Sequence, residues 1–248
     1  MVILRFERVC KSFRRREGSK LALDHVSFGL ERGQIMGIFG PSGAGKTTLL
    51  RVAAGLEAPD SGIVAYNDER LSEMSTAQHR RYRRRSVGCV WAGQSWMPGL
   101  SVREHVELPL LIDGCDNRTA RRAALKFLLA CEAGECAELM PDELSDGERR
   151  RAAIARALII EPQLLLVDGA VSGLSIVEQE QIMELLAELA QDANVAVLVA
   201  DTNAGQLLRV DPIVYMRDGK LIGTEPPDER GKLYTLPTPA SHPSAADA

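Results

Sequence analysis

Apolar and polar positions along the chain follow strand-like patterns in five places. Residues 1–8 and 22–30 alternate apolar and polar positions, which predicts strands with one buried face. Three continuous apolar runs are typical of parallel strands that are covered on both faces: Gln34–Gly40 (QIMGIFG), 163–168 (QLLLVD) and 195–201 (VAVLVAD). These patterns predict a core built on a sheet.

Helical spacing dominates the stretches between the predicted strands. It occurs in Thr47–Leu56, which follows the run that ends in Gly40, and in residues 176–192 (IVEQEQIMELLAELAQD). Residues 101–160 are rich in helix formers, which predicts a helical subdomain inserted between two halves of the core. Ser61–Asp68 reads as a strand and turn, and IVYMRDGKLIGT as a hairpin with Asp-Gly at its turn. The fold class is therefore predicted to be α/β.

Length and composition suit one globular domain. The chain has 248 residues, of which 45% are hydrophobic and 26% charged. We place the domain at residues 1–225, with the helical subdomain at about 95–160. Residues 226–248 hold five prolines and little apolar material, which predicts a largely disordered C-terminal extension. The sequence has neither an N-terminal apolar run of signal-peptide type nor a window of about 18 apolar residues.

Charge and cysteine content narrow the function classes. The formal net charge of −4 argues against a nucleic-acid partner. We therefore interpret the arginine run HRRYRRRS (79–86) as a solvated helix end. The five cysteines show no CxxC spacing, and only four histidines are present, so we expect reduced thiols and neither disulfides nor a metal site.

The segment GPSGAGKT matches the phosphate-loop pattern G-x-x-x-x-G-K-[ST], and it lies between a predicted strand and a predicted helix. Backbone amides of such a loop curl around a phosphate, and the helix N-terminus adds partial positive charge. In this pattern the lysine reaches the β- and γ-phosphates, and the threonine hydroxyl can ligate Mg²⁺. The sequence thus predicts ATP and Mg²⁺ as cofactors, with these loop residues in contact: Gly40, Ser42, Gly43, Gly45, Lys46, Thr47 and Thr48.

Four further segments resemble the ATP-binding-cassette (ABC) ATPases over about residues 1–225. LSDGERRRAAIARAL (Leu144–Leu158) resembles the signature segment with its LSGGQ core, and EPQLLLVD (Glu161–Asp168) resembles the Walker B strand. Phe13 stands where the family places the aromatic that stacks on adenine. SVREHVELPLL (Ser101–Leu111) resembles the branch that includes the macrolide-efflux and lipoprotein-release ATPases.

The resemblance implies a P-loop NTPase cassette with a RecA-like mixed-sheet core, an antiparallel β subdomain and an inserted α-helical subdomain. It also implies that Asp168 joins Thr47 in holding Mg²⁺. In this family two cassettes pair head to tail, and each ATP lies between one chain's phosphate loop and the other chain's signature. Ser145, Gly147 and Glu148 would therefore serve the ATP of a partner.

Catalytic positions depart from the family pattern. Ala92 stands in register with the Mg²⁺-contacting glutamine, with Gln94 two residues further on, and Gly169 replaces the glutamate that polarises the attacking water. Asp201 replaces the histidine that contacts the γ-phosphate, and Ser175 replaces the D-loop aspartate. Phosphoryl transfer needs an oriented water and charge compensation, so slow hydrolysis is expected in this chain's own site.

The signature also departs at one position, where Asp146 replaces a glycine. If this side chain points away from the partner's phosphate, the trans site survives; if it points toward the phosphate, it repels. Because the losses otherwise fall on hydrolysis in cis, we expect a nucleotide-holding cassette that pairs with a second, competent ATPase chain, as a heterodimer rather than a homodimer.

The resemblance further implies a peripheral subunit on the cytoplasmic face of the cell membrane, in an exporter or a lipid- or lipoprotein-handling complex. A transmembrane permease would dock in the Q-loop groove near Trp91, Trp96 and Met97. Simple core packing remains an equal alternative for Trp91, whereas Trp96, beside Pro98, is expected to be more exposed. Two other functions stay open: a non-hydrolysing regulatory or scaffold subunit, and a soluble translation-factor-like or repair-like ATPase. The last usually carries two cassettes or long insertions, unlike this chain.

Overall fold

Two sheets and a helical layer make up the computed structural model, which describes residues 1–15, 18–93, 96–169, 171–202 and 210–223. The strands are β1 (Val2–Arg15), β2 (Gly18–Glu31), β3 (Ile35–Phe39), β4 (Ser61–Tyr66), β5 (Glu69–Arg70), β6 (Val87–Val90), β7 (Leu164–Asp168), β8 (Ala196–Asp201), β9 (Ile213–Arg217) and β10 (Lys220–Gly223). The helices are α1 (Lys46–Ala53), α2 (Thr76–Arg85), α3 (Val102–Ile112), α4 (Asn117–Ala130), α5 (Asp146–Leu158) and α6 (Ile176–Ala193).

The central sheet has the strand order β10-β9-β3-β8-β7-β6, and its neighbouring strands are parallel except for the β9–β10 hairpin. Every residue of β3, β7 and β8 is buried, as their apolar runs predicted. The register pairs Phe39 with Asp201, and Asp168 with Ala200. The carboxyl ends of these three strands therefore meet at one edge, where the phosphate loop begins.

A second, antiparallel sheet has the order β2-β1-β4-β5. It packs through stacked Phe6 and Phe28 and other apolar side chains into a core shared with α1 and one face of the central sheet. The strands predicted for residues 1–8 and 22–30 are present but longer, since β1 continues to Arg15 and β2 begins at Gly18. The outer half of this hairpin is largely exposed, so its sequence lacks the alternation of apolar and polar residues that predicts a strand.

Helices α3, α4 and α5 pack on one another between β6 and β7 in the chain. Each begins at a residue whose side chain accepts a hydrogen bond from a backbone N–H of the first turn: Ser101, Asp116 and Ser145. Their buried faces join the second core, which covers the other face of the central sheet. The division into a domain of residues 1–225 with a helical subdomain at about 95–160 remains a prediction, and residues 226–248 lie outside the described residues.

The arginine run forms the end of α2, as predicted. Arg84 and Arg85 both pair with Asp113, and Arg83 donates a hydrogen bond to the carbonyl oxygen of Gly55. Tyr82, within the run, is buried, and its hydroxyl donates to a backbone carbonyl of α1. Within the ranges that the structure describes, no helix combines the length and apolar character needed to cross a membrane.

Candidate functional site

A cavity of about 420 Å³ opens at the carboxyl edge of the central sheet, beside Phe13 and Lys20 of the β1–β2 hairpin. It brings together most of the residues predicted for nucleotide binding and catalysis in cis: Phe13, Ser42, Gly43, Gly45, Lys46, Thr47, Thr48, Ala92, Asp168, Gly169 and Asp201. Gly40 contributes through its carbonyl oxygen, which accepts a hydrogen bond from Lys46. Segments far apart in sequence thus form one site.

The phosphate loop presents backbone amides and one buried ammonium group. Helix α1 begins after Gly45, whose φ of 113° is left-handed, and no side chain caps its first turn. A side chain at Gly45 would clash with the carbonyl oxygen of Ala22, so only glycine fits. The uncapped amides at the start of the helix suit an anion.

Lys46 is held inside this loop. It is 8% exposed, and its Nζ lies 2.6 Å from the carbonyl oxygen of Gly40 and 3.0 Å from that of Pro41. Burial lowers the pKa of Lys46, while the carboxylates of Asp168 and Asp201 act in the opposite direction. The position suits a cation that turns from backbone carbonyls to a bound phosphate.

Thr47 and Asp168 offer oxygen ligands for a hard cation. The Thr47 hydroxyl donates a hydrogen bond to Asp168 Oδ2 over 2.8 Å. Neighbouring ligands in an octahedral Mg²⁺ site stand about 3 Å apart, so the two oxygen atoms already have a suitable spacing. Burial raises the pKa of Asp168, and the Thr47 hydrogen bond and the Lys46 charge lower it. This donor set fits Mg²⁺.

Two small residues, Gly169 and Ala92, form the wall of the cavity beyond Asp168. The amide of Gly169 donates to the carbonyl oxygen of Ala200 over 2.8 Å, and its φ of 64° is left-handed. A Cβ atom at this position would lie 3.2 Å from the Cβ of Ala92. The two positions at which the resemblance implies a glutamate and a glutamine therefore face each other here as a hydrogen and a methyl group. Gln94, the alternative source of a polar side chain, lies outside the described residues.

Asp201 anchors the segment that follows Gly169. Its carboxylate is 1% exposed and accepts hydrogen bonds from the Ser172 hydroxyl (2.9 Å), the Thr202 amide (2.6 Å) and the Val171 amide (3.3 Å). The sequence predicted only a negative charge near the γ-phosphate. The structure adds that these bonds, with a fourth from the Thr202 hydroxyl (3.4 Å), already satisfy this charge and that Asp201 ties residues 171–172 to the end of β8.

The other end of the cavity lies at the β1–β2 hairpin. Phe13 is 38% exposed and faces the cavity, and its cross-strand partner is Lys20. The Lys20 ammonium lies 3.3 Å from the carbonyl oxygen of Gly43 in the phosphate loop. An exposed ring suits stacking on a planar base. Sequence analysis missed Lys20, because a lysine in an exposed strand carries no signal until the hairpin is placed over the loop.

The signature residues do not line this cavity. Ser145 caps α5: its hydroxyl donates to Glu148 Oε2 over 2.7 Å and accepts from the Glu148 amide over 3.3 Å. Gly147 is buried beside the carboxylate of Glu178 on α6. The start of α5 is thus built as a self-contained cap, separate from the chain's own phosphate loop.

The orientation of Asp146 bears on whether its side chain points toward or away from a partner's phosphate. Its side chain is 75% exposed, and its carboxylate lies 3.7 Å from the Arg149 guanidinium one turn along α5. It lines a small cavity of about 250 Å³ together with Trp91, Trp96 and Arg150. The aspartate is therefore directed toward cations of its own helix.

The predicted docking groove is only partly as expected. Trp96 and Met97 line an open cleft of about 650 Å³ with Met140 and Pro141, but Trp91 lies outside it, half-buried against the core. Trp96 and Trp91 are both half-buried, so the expectation of a more exposed Trp96 stays a prediction. This ring is half-buried, packs edge-on against a buried histidine, His105, at 4.9 Å, and is covered by a guanidinium from α5.

Comparisons with known proteins place these features in a family. Residues 23–172 match the family model described as ABC transporter. The chain is similar to the bacterial ABC transporter cassette MJ0796 in two structures, one dimeric and one a dimeric post-hydrolysis state bound to ADP and Pi. Each shows 29% identity and a TM-score of 0.82, and each match covers 88% of this chain and 96% of that one.

A third similar structure is CbiO1 from Clostridium perfringens, part of the ABC transporter complex CbiONQ. It is 24% identical with a TM-score of 0.78, and the match covers 89% of this chain and 87% of that one, which supports the fold alone. Together with MJ0796, this likeness confirms the predicted fold class, a P-loop cassette with mixed sheets and helices.

Proposed function

Because the chain belongs to the ABC transporter family, we propose that it is the ATP-binding subunit of a membrane transporter and acts in a dimer of cassettes. The observation that carries this proposal is the single cavity in which the phosphate loop, the Thr47–Asp168 pair and Phe13 meet. MJ0796 is dimeric, which supports the pairing of cassettes, and the family description, ABC transporter, supports a membrane partner. We place the chain at the cytoplasmic face of the membrane, in an exporter or a lipid- or lipoprotein-handling complex.

In this proposal different groups of described residues bind different parts of the nucleotide. Phe13 stacks on the base, the loop amides and Lys46 bind the phosphates, and Thr47 with Asp168 holds Mg²⁺. The bound Mg²⁺ supplies charge neutralisation at the phosphates. Lys46 leaves the carbonyl oxygens of Gly40 and Pro41 when a phosphate oxygen replaces them.

We further propose that hydrolysis in this chain's own site is slow. Ala92 and Gly169 bring no polar side chain to the wall, so neither orients a water molecule or accepts its proton. Asp201 brings negative charge where the family uses a donor. Loss of a general base alone costs about 10²–10⁴-fold in rate.

Pairing with a second, competent ATPase chain gives the signature residues a function, because they then contact that chain's ATP. The start of α5 lies outside this chain's cavity, and Asp146 is directed toward Arg149. A partner's γ-phosphate at this helix start would meet the Ser145 hydroxyl and the first-turn amides. To donate to that phosphate, Ser145 has to exchange its hydrogen bond to Glu148.

For the permease, we propose the cleft around Trp96 and Met97 as the docking surface. Aromatic and methionine side chains suit a helix laid into a groove. The cleft is anchored because His105, which is fully buried, accepts a hydrogen bond from the Met97 amide over 2.8 Å and donates one to the Ser101 carbonyl over 2.9 Å.

A second candidate function, a non-hydrolysing regulatory or scaffold subunit, is favoured by the same wall of Ala92 and Gly169. The two functions differ in the partner. If the chain pairs with an identical copy, both sites lack the glutamate and the regulatory function follows. If it pairs with a competent cassette, the assembly hydrolyses ATP in response to substrate.

The purified chain is expected to bind Mg·ATP and to release almost no phosphate. Its binding groups are intact, whereas Gly169 leaves the site without a base. Calorimetric titration with ATP and a phosphate-release assay measure the two properties on one preparation. Brisk turnover by the pure chain would contradict the proposed loss of hydrolysis while leaving the family assignment untouched.

Lys46→Ala is expected to remove measurable ATP binding from this chain. Truncating one member of a buried charge pair costs about 2–5 kcal/mol, which corresponds to more than 30-fold in Kd. Lys126→Ala, on the exposed side of α4, is the matched control and should bind like the native chain. Equal affinity of the two variants would show that ATP does not use this loop.

A further inference from the structure

A bulge in the β1–β2 hairpin brings together three side chains that the nucleotide site does not use. The register pairs Val9 with Val26 and Lys11 with Leu23. Two residues of β2, Asp24 and His25, therefore stand opposite one residue of β1, Cys10. The extra residue gives His25 a left-handed φ of 51°. Bulges re-aim side chains in this way, and they are frequent next to functional sites.

The three side chains are in contact or nearly so. The His25 amide donates to the Cys10 sulfur over 3.3 Å, and His25 Nδ1 lies 2.6 Å from Asp24 Oδ1. One ligand atom from each residue lies within 4.8 Å of the others. Ligand atoms in a tetrahedral zinc site stand about 3.3–3.6 Å apart, so small side-chain rotations bring all three onto one ion.

We propose that Cys10, Asp24 and His25 form a binding site for a thiophilic divalent cation of the Zn²⁺ class. Sulfur, imidazole nitrogen and carboxylate oxygen are the donors that zinc prefers, whereas Mg²⁺ takes oxygen ligands. The site is thus chemically distinct from Thr47 and Asp168. Three protein ligands leave a fourth position for water.

The surroundings keep the ligands accessible. The side chain of His25 is 61% exposed, that of Asp24 is 18% exposed, and Cys10 is half-buried. A surface cavity of about 370 Å³ is lined by Asp24, His25 and Lys220. An ion bound between Asp24 Oδ1 and His25 Nδ1 would replace the hydrogen bond that joins them, while Lys220 holds Oδ2 over 3.1 Å as an outer partner of the kind that orients metal ligands.

Spacing along the sequence predicted no metal site, because the ligands come from two strands and meet only at the bulge. The new site also lies near the phosphate loop. The Asp24 backbone amide donates a hydrogen bond to the Gly219 carbonyl, and the Gly219 amide donates to the Ala44 carbonyl, each over 2.9 Å. The test is therefore run without nucleotide, so that metal carried by ATP does not enter the measurement.

Co²⁺ titration of the reduced full-length chain tests the site, since a cobalt–thiolate bond gives a near-ultraviolet charge-transfer band. We expect one equivalent of Co²⁺ to produce this band, Zn²⁺ to abolish it, and excess Mg²⁺ to leave it unchanged. Cys10→Ser should lose the band. Cys115→Ser, which alters another half-buried cysteine, should keep it.

His25→Asn provides a second variant in case Cys10→Ser fails to fold. Asparagine tolerates the left-handed conformation of residue 25, so the bulge is retained while the imidazole is lost. We expect at least about 10-fold weaker Co²⁺ binding in this variant. Three results would overturn the site: no band in the native chain, an unchanged band in Cys10→Ser, or equal affinity in His25→Asn.

Discussion

Ser145→Arg in this chain is expected to abolish the ATPase activity of the assembled two-cassette complex, and Asp168→Asn to reduce it only partly. Under the proposed function, the working site combines the partner's phosphate loop with this chain's signature. An arginine at residue 145 fills the space of the γ-phosphate and removes the hydroxyl that stabilises it. Phosphate release by the purified complex, at saturating ATP, measures both variants.

Asp168→Asn acts on this chain's own pocket. Asparagine keeps the size of the side chain and can still accept a hydrogen bond from Thr47, but it removes the negative charge proposed to bind Mg²⁺. A pocket that mainly holds nucleotide contributes to dimer closure rather than to the chemical step. The expected loss is therefore a few-fold, much smaller than that of Ser145→Arg.

Ser75→Arg supplies the control for the helix cap. Ser75 caps α2 with the same reciprocal hydrogen bonds that Ser145 makes at α5, but with Gln78 as partner. Loss of a cap costs about 0.5–2 kcal/mol of stability, and this cost is common to both variants. Full ATPase activity in both would show that the signature is vestigial, and the asymmetric pair would be wrong.

Buried parallel strands were the most predictable part of the fold. Continuous apolar runs identify β3, β7 and β8, because strands covered on both faces have no polar side to show. The phosphate loop was equally predictable, because backbone contacts to a phosphate require a fixed spacing of glycines and lysine. Because these strands are parallel, Asp168 and Asp201, at their carboxyl ends, necessarily lie at the same edge of the central sheet.

The features that the sequence could not predict depend on the register of paired strands and on the direction in which side chains point. The bulge that joins Cys10 to His25 is one extra residue in a strand, and no local composition marks it. The half-buried Trp96 packs edge-on against the buried His105, a contact that no local pattern in the sequence indicates. Two of the donors to Asp201, the Val171 amide and the Ser172 hydroxyl, come from the segment that follows the left-handed Gly169. Each is a consequence of tertiary packing rather than of local pattern.

Gly169→Glu alone is expected to leave this chain's site inactive. Residue 169 has a φ of 64°, and an ordinary side chain in that conformation costs about 1–2 kcal/mol. Its Cβ would also stand 3.2 Å from the Cβ of Ala92, so the carboxylate is not free to take the geometry of the family. Asp201 would still hold residues 171–172 and supply no donor to the γ-phosphate.

The test compares this single variant with the double variant that adds Asp201→His and the triple variant that further adds Ala92→Gln. Each is assayed for phosphate release in a complex whose partner lacks its own phosphate-loop lysine, so all turnover comes from this chain's site. We expect a measurable rise in the triple variant only, within the 10²–10⁴-fold range that a general base contributes. Gly173→Glu is the matched control: it adds the same residue at another left-handed glycine, with a φ of 84° and open space around it. Full activity in the single variant would show that Ala92 and Asp201 are harmless departures and that the missing glutamate is the whole defect.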